Sequence, residues 1–206
     1  LPSAAASRTS ARSDFSRMGT GNGSDYVEIV NVSSRIVNLK NWLFANFNSG
    51  DIGSLKPIIK TNYPVEPGAY VAISKDTANV QMNYINHGIG NFIQADLPSF
   101  NNDSGTVYLL TADSSYAERF AYDDDMHFPL ISGVDGIALE RLDMQRAVND
   151  RGNWHSAAQT AGFGTPGLVN SQFYPTSLSS GTVSTDPEIF SPDNDGYNDV
   201  LNINFT

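Results

Sequence analysis

Hydrophobic and polar residues alternate in short runs along most of this chain, and clusters of Gly, Asn, Asp, Ser and Pro separate the runs. That is the pattern of strands joined by turns. The first firm run is DYVEIVN, Asp25 to Asn31, rich in β-branched and aromatic residues and free of Gly and Pro. Side chains alternate along a strand, so Val27 and Ile29 share one face while Tyr26, Glu28 and Val30 share the other. A short polar stretch, Asn31 to Ser34, leads into IVNLKNWLFANF around Trp42. Two such runs joined by a polar turn predict a hairpin. Ser54 to Thr61 is a weak strand, with Pro57 marking an edge or bend. Pro67-Gly68 reads as a turn that launches AYVAIS, Ala69 to Ser74. Thr77 to Tyr84 holds helical periodicity best, with Asp76 placed to cap it. Thr106 to Ala112 and Tyr116 to Asp123 pair through the turn Asp113-Ser114-Ser115, and Gly136 to Asp143 is a further strand.

Many strand-like runs, turn signals between them and one short helix predict an all-β protein, a β-sandwich. Residues 1–24 differ: Ala/Ser-rich, then Gly-rich, with Arg8, Arg12 and Arg17 against Asp14. They read as an N-terminal arm, with Phe15 and Met18 as its plausible anchors. Residues 25–172 are long enough for one well-buried core. Residues 173–186 read as a linker, low in charge and apolar content. Residues 187–206 begin a second module: Leu201, Ile203 and Phe205 alternate with Asn202 and Asn204 as a half-buried strand with no evident partner. A lone strand is unstable in water, so pairing with a sheet edge of the first domain or of a neighbour is expected.

Charge narrows the partners. Twelve Lys and Arg against twenty-two Asp and Glu give a net charge of −10. Nucleic-acid backbones and anionic membranes both call for clustered cations, so neither is an expected partner. With no cysteine there is neither a disulfide nor a thiolate site. No apolar run approaches the ~20 residues of a membrane span. A chain that starts at Leu1 rather than Met is expected to be a processed form or a segment of something longer.

The order and spacing of several blocks resemble a bacterial lamin tail domain. They are DYVEIVN…NLKNWLFAN, PVEPGAY and the strand after it, LPSFNNDSGTVYLL, FAYDDDMHFPL, GIALERLD, and NWHSAAQTAGFGTPGLVNSQ. The last block is the most specific, and together they span Asp25 to Gln172. The resemblance implies an immunoglobulin-like β-sandwich. Glu188 to Phe205 resembles the first strand of an Ig-like module of hook-capping or gliding-motility-associated type. In tandem, the two imply a secreted or cell-surface, Gram-negative, Bacteroidetes-like protein. Its role would be non-enzymatic: an adhesion or spacer module that meets a protein or a cell-surface glycan, with strand-edge self-association open to it. The family usually has an apolar strand with an Asn-Glu pair ahead of DYVEIVN. Residues 1–24 contain none, which leaves that sheet edge open.

Candidate chemistry is sparse. In Ser191-Pro192-Asp193-Asn194-Asp195-Gly196-Tyr197-Asn198-Asp199, oxygen side chains alternate, a Gly permits the turn and a carboxylate follows. Asp193, Asp195 and Asp199 are therefore candidate Ca2+ ligands. The loop departs from an EF-hand at Ser191 and Asn202, and an Asx-rich turn would use the same side chains. Asp123-Asp124-Asp125 with His127 could also hold a divalent metal, although adjacent strand residues diverge. For catalysis the histidines are His87, His127 and His155, and Glu28 and Glu140 are strand carboxylates with the chemistry of a glycosidase pair. No nucleophile elbow, HExxH, P-loop or dinucleotide turn is present, so an enzyme is not expected. The alternative to an adhesion unit is a carbohydrate-binding module of a secreted enzyme, with Trp42 and Trp154 as the exposed platform.

Overall fold

The computed structural model describes residues 6–8, 24–48, 50–85, 89–101, 104–131, 133–174, 182–187, 189–193 and 195–205. Most of the arm, including Phe15 and Met18, lies outside the described residues, as do His87, Asn194 and residues 175–181. The chain divides into two units, Leu1–Tyr174 and Pro175–Thr206.

The first unit is a β-sandwich with immunoglobulin-like sheet architecture. In chain order its elements are β1 (Ala6–Arg8), β2 (Tyr26–Val30), β3 (Val37–Asn38), β4 (Leu43–Asn48), β5 (Asp51–Pro57), β6 (Pro64–Val65), β7 (Tyr70–Ser74), α1 (Thr77–Asn83), β8 (Asn91–Gln94), β9 (Ser104–Leu110), β10 (Tyr116–Asp123), β11 (Leu139–Arg141) and β12 (Trp154–Ser156). One sheet runs β1-β2-β7-β8 and the other β10-β9-β4-β5, while β3-β6 and β11-β12 are two-stranded ribbons. Val27, Ile29, Val71 and Ile73 from the first sheet meet Phe44, Val107, Leu109 and Phe120 from the second in one buried cluster. That contact is what makes the pair of sheets a sandwich.

The expected alternation in DYVEIVN holds, and both of its faces are covered. Opposite the main core, Tyr26 packs with Ala72, Val80, Tyr84, Ala138 and Ala157 in a second buried cluster. The Tyr26 and Tyr84 rings meet edge to face with centroids 5.6 Å apart. Helix α1 builds this cover. Asp76 caps it, accepting the Asn79 N–H at 3.0 Å. The same helix supplies the crossover that the parallel pair β7-β8 requires.

Two expectations about the strands around DYVEIVN are corrected. The predicted hairpin with the Trp42 region does not form: β2 pairs with β1 and β7, whereas β4 pairs with β5 and β9 in the opposite sheet. Asn31 redirects the chain. Its side-chain amide donates to the Arg35 and Val65 carbonyls, its Oδ1 accepts from Ser33, and its backbone bonds Ala69 and Gly68. The segment after β2 is thus tied beside the Glu66–Ala69 turn rather than folded back. That turn is as expected, with Gly68 at φ +75. Nor is the outer edge of β2 open. Ala6–Arg8 pairs antiparallel along Glu28–Val30. Backbone pairing needs no apolar pattern, so an arm without one still fills the edge.

In the second unit, β13 (Val183–Asp186) and β14 (Asn202–Phe205) form an antiparallel ribbon that joins Val183 to Phe205 and Asp186 to Asn202. The strand after Leu201 therefore has a partner within its own unit. That partner begins in the stretch expected to be linker. Four residues with one Val carry too weak an alternation to stand out, while Val183 and Thr185 are nonetheless β-branched.

Candidate functional site

Two buried strand carboxylates organise the end of the first unit. Glu28 projects from β2 and accepts the Gly167 N–H at 2.6 Å. Glu140 projects from β11 and accepts from Thr165 Oγ1 at 2.7 Å, Ser171 Oγ at 2.6 Å and the Gln172 N–H at 3.1 Å. Both residues are 2% exposed. Together they clamp GTPGLVNSQ onto the sandwich. Gly167 sits at φ +81, and a Cβ there would stand 3.0 Å from the Asn91 nitrogen, so a side chain has no room. The carboxylates weighed as a hydrolytic pair have their oxygens committed to this chain's own donors.

Next to the clamp, the β11-β12 ribbon borders a cleft of about 660 Å³. Strand alternation sorts β12: Trp154 and Ser156 are buried and His155 is exposed. Trp154 stacks on Phe120 with centroids 3.8 Å apart and donates its Nε1–H to the Val148 carbonyl at 2.7 Å. Ser156 Oγ lies 3.0 Å from His127 Nδ1 and accepts the Phe128 N–H at 3.0 Å. This latches the 127–131 loop to the strand. Burial pushes the His127 imidazole down to about 4, so it is neutral at neutral pH. Beyond the latch the loop turns outward, with Phe128 56% and Leu130 83% exposed. Phe163, which also lines the cleft, sits at φ +65, a left-handed conformation unfavourable for a bulky residue. It is held there by bonds between its N–H and the Ala158 carbonyl and between the Ala138 N–H and its own carbonyl. At the rim, both terminal guanidinium nitrogens of Arg151 donate to Asp123, which holds that carboxyl below the usual range. The His155, Gln159 and Gln172 side chains, also lining the cleft, make no hydrogen bond among the described residues.

No protein-family model matches the chain, and no curated protein is detectably similar.

The anticipated residues fare unevenly. Asp193, Asp195 and Asp199 do converge, with one oxygen of each within 4.8 Å of the others. Oxygens bound to one Ca2+ can stand no more than about 5 Å apart, twice the bond length of ~2.4 Å, and this spacing lies inside that bound. The same carboxylates also close the loop: Asp193 and Asp195 form Asx turns, accepting the Asp195 and Tyr197 N–H groups, and Asp199 reaches back to accept the Gly196 N–H. The Asp123-Asp124-Asp125 run diverges, with Asp123 turned to Arg151 and the next two in a 3-10 turn. Trp154 is 1% exposed, and Trp42 is half-buried against the main core. Neither is a free platform. The His127-Ser156 contact spans 29 positions, and no local pattern announces it. The exposed aromatic of the cleft, Phe128, lies in FAYDDDMHFPL, where no local pattern marks it as exposed.

Proposed function

We propose that this chain is a non-enzymatic interaction module, an adhesion unit of a larger exported bacterial protein, as its resemblance to lamin tail domains implies. One observation carries the reading: a loop latched through Ser156 presents Phe128 and Leu130 to solvent beside a cleft. Exposed apolar side chains on a rigid scaffold are how loop-borne recognition is built. The buried acids Glu28 and Glu140 serve the framework beneath that loop, which favours recognition over turnover. The negative charge turns the module away from nucleic acids and toward a protein or glycan on a cell surface. For the carbohydrate-binding alternative, the burial of Trp154 removes the residue best suited to a tryptophan platform.

The test is a deletion of residues 1–174 from the exported protein in the producing cell. Surface attachment should fall while export continues, and an unrelated sandwich of equal length should not restore it. Restoration by that substitute would make the unit a spacer. Attachment that survives the deletion would overturn the proposal.

A further inference from the structure

We infer that the cleft between the 127–131 loop and Phe163 is a binding site for a neutral oligosaccharide, a partner class that deepens the interaction-module reading and rests on it. Four features converge. Its volume of about 660 Å³ lies within the span of ligand pockets and has room for a short chain of sugar rings. Its wall carries an exposed aromatic, Phe128, on a loop fixed at its base by the Ser156 bonds. Three hydrogen-bonding side chains, His155, Gln159 and Gln172, border it without partners among the described residues. Phe163 is held in an unfavourable backbone conformation at the same place, and such strain gathers at ligand clamps.

The chemistry selects the ligand. A pyranose ring has an apolar C–H face that packs on an aromatic ring, and hydroxyls that both donate to and accept from amides and imidazole. An apolar peptide side chain would fill the wall but bury the three polar groups unpaired, which is unfavourable. An anionic saccharide meets no Lys in the lining, whose one Arg, Arg151, is committed to Asp123; Asp125 also lines the cleft, and the chain carries −10.

The experiment titrates the full chain with neutral hexasaccharides of gluco-, manno-, xylo- and galacto- type, with oligogalacturonate, and with an acetylated Leu/Phe-rich hexapeptide. Binding is read by calorimetry and amide chemical shifts. At least one neutral sugar should bind and shift residues 127–131 and 155–172. Phe128→Ala should weaken it at least tenfold, Gln172→Ala several-fold, and Phe205→Ala not at all. Phe128 is exposed, so its loss leaves the fold intact, and circular dichroism checks this. Silence from every neutral sugar at millimolar concentration, equal binding by the Phe128→Ala variant, preference for the uronate, or binding of the peptide alone would each overturn the inference. If Phe128→Ala leaves cell attachment intact while the deletion abolishes it, the glycan site falls and the interaction module stands.

Discussion

Strands β2 and β7 in the first unit and β13 and β14 in the second are antiparallel pairs of similar length, yet they meet opposite environments. Every residue of β2 and β7 is buried, whereas every residue of β13 and β14 is exposed. The second ribbon is still amphipathic by register. Val183 lies opposite Phe205 and Thr185 opposite Ile203, while Ser184, Asp186, Asn202 and Asn204 take the other face. Alternation thus specifies which face of a strand is apolar, but not that anything covers it. In the first unit α1 and the clamped 162–172 segment supply a second cover; an isolated two-stranded ribbon is at best marginal.

The largest expected effect breaks the covered side of this contrast. Trp154→Ala removes an indole stacked on Phe120 and should destabilise the first unit by about 3–5 kcal/mol. Phe205→Ala, of comparable chemistry on the uncovered ribbon, should change stability by less than about 0.5 kcal/mol. Denaturant unfolding followed by near-ultraviolet circular dichroism measures both. Equal losses would mean that the second ribbon is packed in solution.

A smaller effect tests the clamp. Glu140→Ala leaves the donors of Thr165, Ser171 and Gln172 without their acceptor, and should cost about 2–3 kcal/mol. Amide exchange over 165–172 should accelerate more than over β9 and β10. Uniform acceleration would show that Glu140 supports the whole sandwich rather than this segment.

These contrasts explain what was legible in the residues. Strand runs with strong composition, AYVAIS and the TVYLLTA–YAERFAYD hairpin, were readable because their partner or their turn lay nearby. So was the Asp76 cap, which acts over three residues. Pairing of β2 was not readable: its neighbours lie about 20 positions before and 45 after, and Asn31, one polar residue, decides the route. The clamp was half-visible. GFGTPG announces a tight backbone, but nothing in DYVEIVN says that Glu28 receives the Gly167 N–H across 139 positions. The cleft was hidden for the same reason, since His127 and Ser156 are 29 positions apart in sequence and meet only through the fold.

Acidification should separate the units further, by a lesser amount. His127 titrates at about 4 in the folded chain because burial disfavours its cation, against an unperturbed value near 6.5. The unfolded chain therefore binds the proton first, and stability falls as pH drops from about 6.5 toward 4. The loss by pH 4 should be on the order of 1–2 kcal/mol, less than the full shift because the ring is partly hydrated. Other acidic groups contribute to the total, so the reading is the difference between the wild type and His127→Gln, whose profile should be flatter across this window. Identical profiles would show that His127 is solvated, and the latch to Ser156 open.

The smallest effect belongs to the second unit. Carboxylates with one oxygen each within 4.8 Å of one another repel, and each also accepts a loop N–H. A Ca2+ ion would replace repulsion with shared coordination, so millimolar calcium should shift the amides of Asp195, Gly196 and Tyr197 and leave those of β2 and β7 in place. Because the trio is largely exposed and each acid already serves the loop, affinity should be weak, near the millimolar range of open extracellular sites. Asp193→Asn should abolish the shift, and chelation should reverse it. If calcium moves nothing, the three acids act only as turn formers, and the ribbon gains no support from the loop that joins its strands.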